Sequence, residues 1–446
     1  SDLWSSIADA SGKDINEMMH GWVYQPGYPL ITVDASDPSK FIAAQERFFL
    51  LKRSNESSAA FGTLWQIPLA YRGLKSGDGD KPAIARTMFD SKQSSIKAAV
   101  EEPLVVNAGG DGYYRVRYSP ALLHSFEDDL QKNLTPAERI SLLSDQFSLA
   151  FTGMIPLKDY LALTAKYKDE TDANVISLLI TEMHSLYEVI DAKDRPAFQA
   201  FVRDRLEPAK QRLGWTVADN EDVLTTLARQ EVMSAMGTIG QDKDTIAQAR
   251  ELFKKYLADK SAVNKDLIPP ILNTVAYNGN EQSYKQITAL WQAARTPELE
   301  KRSLMSLGLF RPPVLIEKTL AMALTDQVRT QDAPNLIGEV TSTVDGRKMG
   351  WQFTQAHWHL ISERFAPHMV PRIIGAASAL NTNDEAEQLK SFFKSNPTPF
   401  GTRTIAKTIE EIEANAAFRQ RSGEALSSWL ASNTDAAPEK TKSSMK

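Results

Sequence analysis

The 446-residue chain contains no cysteine. That excludes disulfides, thiolate metal sites and thiol nucleophiles together. It assigns no compartment, because cysteine-free proteins occur in oxidising and reducing ones alike. Histidine is scarce as well, with six residues: His20, His124, His184, His357, His359 and His368. No two stand four apart, the spacing a zinc-peptidase helix needs for both imidazoles to reach one metal. His357 and His359 are two apart, which on a helix separates them by about 200°, so they share a metal only if that segment is a strand. The chain has no Gly-rich phosphate loop, dinucleotide fingerprint or Gly-x-Ser-x-Gly elbow. No apolar run approaches the ~20 residues that span a bilayer. A formal net charge of −5 gives no electrostatic case for nucleic acid or an anionic membrane. No basic region followed by an apolar core is visible from Ser1 to Trp4.

What is present is ordinary for a globular protein, with 42% hydrophobic and 24% charged residues. The length suits roughly two to four domains with real cores. Ten of the 22 glycines fall within the first 118 residues, and the pattern there is strand-like. Leu30–Val33, Phe41–Leu50, Leu64–Tyr71, Ile96–Val100, Leu104–Val106 and Gly112–Tyr118 read as strands, with turns at Lys75–Asp80 and Asn107–Asp111. Pro68 cannot donate to a ladder, which predicts an edge or a bulge at that strand. About seven short strands in about 90 residues suggest a β-sandwich.

Before the strands, Ile15, Met18, Met19 and Trp22 make one apolar stripe at helical spacing, closed by Pro26 and Gly27. A helix with such a face needs a partner, and little precedes it. After the strands the reading is helix upon helix. Ser119-Pro120 predicts a capped start, Thr135-Pro136-Ala137-Glu138 a capping box, and Thr296-Pro297-Glu298 a third start. The second of these helices carries Ile140, Leu143, Phe147 and Ala150 on one stripe and ends near Gly153. Roughly fifteen such segments without a fixed period suggest irregular stacked pairs of the HEAT or armadillo kind. The expected architecture is mostly α: residual helices over 1–26, a β-sandwich over 27–118, an α-helical superhelical domain over 119–431 and a disordered tail over 432–446.

Candidate chemistry is thin. His184 and Glu188 stand four apart and share a helical face, but two ligands are too few for stable zinc, and a solvated face is the plainer reading. Trp351, Phe353, Trp358, Leu360, Ile361 and Phe365 read as core. Arg302, Arg364 and Arg403 are possible carboxylate binders if they face inward. No catalytic, cofactor-binding or metal residue is assigned.

A resemblance accounts for this combination. Ser11-Gly12-Lys13-Asp14-Ile15, then Met19, Trp22 and Gln25-Pro26-Gly27-Tyr28-Pro29, resemble the junction in M1-family zinc aminopeptidases where the catalytic domain ends. Gln45-Glu46-Arg47-Phe48, Trp65-Gln66-Ile67-Pro68-Leu69, and Asn107 with Gly112–Tyr118 are similar to strands of the β-sandwich that follows. Arg139, Leu142, Asp145 and Phe147, with Gly153, resemble the opening helix of that family's helical domain, and Trp351-Gln352-Phe353 with Trp358 a late one. The family's His-Glu-x-x-His helix and Gly-x-Met-Glu-Asn loop are absent. The resemblance therefore implies the C-terminal half of such an enzyme, with zinc and any export signal belonging to segments before Ser1. It further implies that the helical domain caps the active-site chamber, meets peptide substrates on its concave face, and has its own N-terminal and catalytic domains as partners. The orphan stripe is then expected to fold back on the sandwich or to support a weak homodimer. A free-standing helical-repeat adaptor is the alternative.

Overall fold

A computed structural model describes residues 2–12, 14–35, 37, 40–51, 64–74, 83–96, 102–398 and 401–434. The chain divides into two compact units, residues 1–178 and 179–446. Among the described residues the strands all lie in the first unit: β1 (Pro29–Asp34), β2 (Phe41–Arg47), β3 (Ile67–Gly73), β4 (Ala85–Phe89), β5 (Gln93–Ile96), β6 (Leu104–Val106) and β7 (Arg115–Tyr118). They form a four-stranded sheet in the order β5-β2-β1-β7 and a three-stranded sheet in the order β4-β3-β6. Pairing is antiparallel except between β1 and β7. Leu30, Ile31, Val33, Ala43, Ile67 and Leu69 are fully buried, and because Leu30 and Ile31 are consecutive, β1 is covered on both faces there.

Side chains tie the two sheets together. The Tyr118 hydroxyl donates to the Val106 carbonyl at 2.9 Å and accepts from its N–H at 3.0 Å. Gln45 on β2 accepts from the Trp65 N–H at 3.0 Å and donates to the Trp65 carbonyl at 3.1 Å.

Several strand expectations change: β5 ends at Ile96, where the expected strand begins. β4 is an addition, hidden in sequence because four of its five side chains are exposed and leave no buried alternation. β3 lies between β4 and β6, but at Pro68 it is paired on one side only, so the edge expected there holds locally. Pro68 is accommodated because β6 pairs only with Tyr71–Gly73, while Pro68 sits opposite Met88 of β4. β7 begins only at Arg115. The expected turn at Lys75–Asp80 and positions 97–100 of the expected Ile96–Val100 strand lie outside the described residues.

The first unit also holds α1 (Asp2–Ser11), α2 (Ile15–Tyr24), α3 (Pro120–His124), α4 (Leu130–Asn133), α5 (Pro136–Thr152) and α6 (Leu157–Thr164); α7 (Ala173–Val189) crosses into the second. Ser119 precedes α3 with Pro120 at its first position, but the hydroxyl makes no capping bond and is buried without a partner. At α5 the capping box forms as expected: Glu138 accepts from the Thr135 N–H at 2.9 Å, and Thr135 Oγ1 accepts from the Glu138 N–H at 3.4 Å. Gly153 closes that helix at φ 78°, a conformation glycine enters without a Cβ clash. The expected stripe on α5 is half right. Leu143 and Ala150 are buried, Ile140 and Phe147 only partly, and Glu138, Arg139, Asp145 and Gln146 are buried as well.

The second unit continues with α8 (Arg195–Leu213), α9 (Val223–Gly237), α10 (Lys243–Ala258), α11 (Ile268–Tyr277), α12 (Glu281–Gln292), α13 (Pro297–Ser306), α14 (Pro313–Ala323), α15 (Ala333–Thr341), α16 (Arg347–Ala356), α17 (Trp358–Arg364), α18 (Val370–Ala376), α19 (Asn383–Ser395) and α20 (Thr402–Thr434). Helices pack chiefly on near neighbours in the chain, as α8 on α9, α12 on α13, and α14 on α15. One apolar cluster runs from Ala249 to Ile412. Near its end Trp351 lies 5.4 Å from Phe392, and Trp358 lies 5.2 Å from Phe393. Of the aromatic and aliphatic residues expected there, Trp351, Trp358, Ile361 and Phe365 are buried and Phe353 packs on the cluster. Leu360 is exposed, because it faces outward from the short α17. Ser432–Thr434, assigned to a tail in sequence, finish α20; positions 435–446 lie outside the described residues. No described helix is long and apolar enough to cross a membrane.

Candidate functional site

The motif residues of the sheet unit turn out to be its fastenings. Arg115 on β7 donates to Tyr28 Oη at 3.1 Å and to Asp145 Oδ1 on α5 at 3.1 Å. The other Asp145 oxygen accepts from the Val116 N–H at 2.8 Å. Burial pushes the Asp145 carboxyl up to about 7, against the pull of Arg115 and that N–H. Tyr114 Oη accepts from the Ala70 N–H at 3.3 Å, and Asn107 pins Gly112 through both its amide atoms. A Cβ on Gly112 would come within 2.2 Å of the Tyr114 ring, so that position requires glycine. Two further pairs, Arg72–Glu138 and Arg139–Glu170, sit with no more than 6% of any of their side chains exposed. These residues build a scaffold.

The helix α2 lies against this scaffold. Ile15 is buried, while Met18, Met19 and Trp22 are half-buried. Trp22 donates from its indole N–H to the Gln66 carbonyl at 3.1 Å, with its ring 6.3 Å from Trp65 and 6.3 Å from Tyr113. The stripe has therefore folded back on the sheets. Leu3, Val23, Tyr24 and Tyr113 stay more than half exposed around it.

The expected carboxylate binders are engaged or outward. Arg302 pairs with Glu298 and Arg364 with Asp326, and Arg403 is exposed in the first turn of α20. His357 falls between α16 and α17, its Nδ1 3.0 Å from the Phe353 carbonyl, while His359 pairs with Glu363.

His184 and Glu188 are where the structure departs most from sequence reading. His184 is exposed, as a solvated face requires, while Glu188 is half-buried. Both open into a recess of about 270 Å³ in the second unit, with Tyr187, Asn273, Tyr277, Glu339 and Asp345 among its other walls. Four helices end at it: Glu188 lies in the last turn of α7, Thr238 caps α9, Tyr277 ends α11 and Ser342 caps α15. Helix C-termini carry partial negative charge. Burial pushes Glu188 up to about 7, against the pull of Arg347, and raises Glu339 as well. It holds His184 down to about 4; the residue is exposed as a whole, yet the protein packed around its ring disfavours the imidazolium. No group of three or more metal-capable side chains occurs among the described residues. Sequence spacing revealed the His184–Glu188 pair, but nothing local signalled Glu339 or Asp345, which arrive from more than 150 positions away.

Residues 103–414 match the model of the ERAP1-like C-terminal domain. The chain belongs to that family. Curated relatives extend the likeness over nearly the whole sequence. Aminopeptidase M1-A of Oryza sativa subsp. japonica is 26% identical over 437 residues, covering 93% of this chain and 48% of its own length. Glutamyl aminopeptidase of Bos taurus is 26% identical over 454 residues, covering 96% and 45%. Aminopeptidase 2 of Candida albicans is 23% identical over 445 residues, covering 97% and 47%. The chain thus spans about half the length of the curated relatives it matches, and the homology is to the C-terminal region of M1 aminopeptidases.

Proposed function

We propose that this chain serves as the non-catalytic C-terminal portion of an M1-like zinc aminopeptidase, a hydrolase that removes N-terminal amino acids from peptides. Its helices, stacked in HEAT-like fashion, cap the active-site chamber and govern which peptides enter. The observation that carries this reading is the family match over residues 103–414 in a chain aligned along its length with aminopeptidases. Two features support it. The motif residues that mark the family here are structural fastenings, so bond breaking falls to zinc and its ligands elsewhere in such an enzyme. The apolar residues left exposed around α2, Leu3, Val23, Tyr24 and Tyr113, suit docking against the enzyme's own catalytic domain, because large exposed apolar patches on soluble proteins mark interaction sites. A helical cap that excludes water and moves between states contributes to catalysis by gating.

The test joins this chain to a family catalytic domain and compares it with the catalytic domain alone. Turnover is measured on an aminoacyl-anilide and on peptides of increasing length. The expected result is that this portion changes the dependence on peptide length far more than anilide turnover. An unchanged length dependence overturns the reading. By itself the chain is expected to retain no stoichiometric zinc after dialysis and to cleave neither substrate; chelator-sensitive turnover by the isolated chain would contradict that.

A further inference from the structure

We infer that the recess lined by His184, Glu188, Tyr277 and Glu339 binds the basic side chain of a peptide, a guanidinium or ammonium group. This deepens the peptide-access reading and rests on it for the source of the ligand. Four observations converge. The recess is a formed cavity of about 270 Å³, at the small end of ligand pockets, so it suits one side chain and not a folded segment. Neither the Glu188 nor the Glu339 carboxyl has a hydrogen bond or ion pair from another described side chain, and desolvation burdens both. Four helix C-termini meet there; Arg347 and Arg311 already take the last carbonyls of α7 and α11, and those of α9 and α15 add partial negative charge from backbone dipoles. Finally, Tyr187 and Tyr277, 4% and 9% exposed, share one hydrogen bond of 3.0 Å between their hydroxyls. Two phenols carry two O–H donors, so one hydrogen has no acceptor among the described residues.

The cations already nearby do not fill the need. Arg347 spends Nη1 on the Glu188 and Ala379 carbonyls, at 2.7 and 3.0 Å. Arg311 spends Nε on the Tyr277 carbonyl at 2.8 Å. Arg195 lies 3.8 Å from Asp345 and over the Tyr187 ring. All three brace the walls, and none lines the recess. His184, held neutral, adds no positive charge. A basic side chain supplies donors to Glu188 and Glu339, and the carbonyl of its own residue can accept the leftover tyrosine hydrogen.

The experiment titrates the whole chain with Nα-acetyl-L-arginine amide by calorimetry, beside the neutral isostere Nα-acetyl-L-citrulline amide. Binding of the arginine probe with at least about a tenfold preference over citrulline is expected, the weight of charge-assisted hydrogen bonds. The double variant Glu188→Gln, Glu339→Gln should lose the same preference while melting as a folded protein. Equal binding of the two probes, no binding of either at millimolar concentration, or arginine binding untouched in the double variant overturns the proposal. If the double variant fails to fold, the citrulline comparison on the natural chain still decides. Putrescine binding as tightly as the arginine probe overturns the peptide assignment, because putrescine offers the tyrosine nothing to donate to. Arginine preference in a chain whose fusion shows no length dependence would keep this site and remove the access reading; length dependence without arginine preference does the reverse.

Discussion

In the first unit the buried charges come in pairs that join elements far apart in sequence. Arg72 on β3 meets Glu138 on α5, 66 positions on, and Arg139 meets Glu170, 31 positions on. In the second unit a buried pair such as Arg229 with Glu221 closes over only eight positions, and distant helices meet through the apolar cluster of Trp351, Trp358, Leu336 and their neighbours. Each unit is therefore vulnerable in its own way. A sheet and the loops and helices beside it present backbone and polar atoms to each other, and charged side chains such as Arg72, which also takes the Leu74 and Asn133 carbonyls, satisfy them. Two helices meeting along apolar stripes need only matching volume. One unit should fail when a partner is removed, the other when space is opened.

The largest effect should come from Arg72→Met. It leaves the Glu138 carboxylate buried without its cation, a loss of about 3–5 kcal/mol. Replacing both partners with apolar residues should recover much of that, but not all. Glu138 also accepts the Thr135 and Gly109 N–H groups, and those donors would be stranded. Urea unfolding of the single and double variants measures this. A single-variant loss below about 1 kcal/mol would make the pair equivalent to a surface contact and erase the contrast between the units.

The opposite probe is Leu336→Ala at a fully buried site, expected to cost about 2–5 kcal/mol through lost transfer energy and an unfilled cavity. No second substitution of a polar partner should rescue it. Rescue by a nearby enlarged apolar side chain is the outcome consistent with a volume-governed core, and it can be read from the same urea curves.

These two sites also mark how far the sequence could be read. The Thr135–Glu138 capping box was legible because every atom involved lies within one helical turn. The second role of Glu138, as the partner of Arg72, was invisible because nothing in a four-residue window reports a strand 66 positions back. The strands with buried alternation were found, and β4 and most of β5, whose exposed side chains carry no period, were not. Ser119 shows the converse, a correct local signal that the fold leaves unused. The recess is the extreme case. His184 and Glu188 could be placed on one helix face from spacing alone, but whether that face meets water or other helix ends is decided by packing.

A smaller effect is expected at α2. Changing Met18 to Gln and Trp22 to Ser removes half-buried contacts and the bond to the Gln66 carbonyl, costing about 1–3 kcal/mol. The sheets and the second unit should stay folded by circular dichroism, with any self-association weakened in sedimentation. Cooperative unfolding of the entire chain would instead make α2 part of this chain's own core and remove a physical support for the docking role of its surface.

The smallest effect is the one whose sign is most telling. The Glu188 carboxyl, pushed up to about 7 in the folded chain, titrates near 4.5 once unfolded. Between those values the folded state holds the extra proton, so the contribution of this group to stability is present at low pH and lost as pH rises through 7. Glu188→Gln cannot ionise and escapes that loss. It also keeps the backbone bond from Arg347, which goes to the Glu188 carbonyl and not to its carboxyl. Glu339, which burial also raises, is present in both proteins and largely cancels in the difference, and His184, held near 4, changes charge below the window. The variant should therefore gain on the natural chain between pH 5 and pH 8, by on the order of 1–2 kcal/mol once the partial solvent access of the recess is allowed for. Thermal melts of both proteins across that range supply the measurement. Parallel pH profiles would mean the carboxyl is solvated like a surface glutamate, and the electrostatic case for the recess would fall with it. A gain confined to high pH would show that the second unit, otherwise governed by volume, carries an uncompensated charge at this one place.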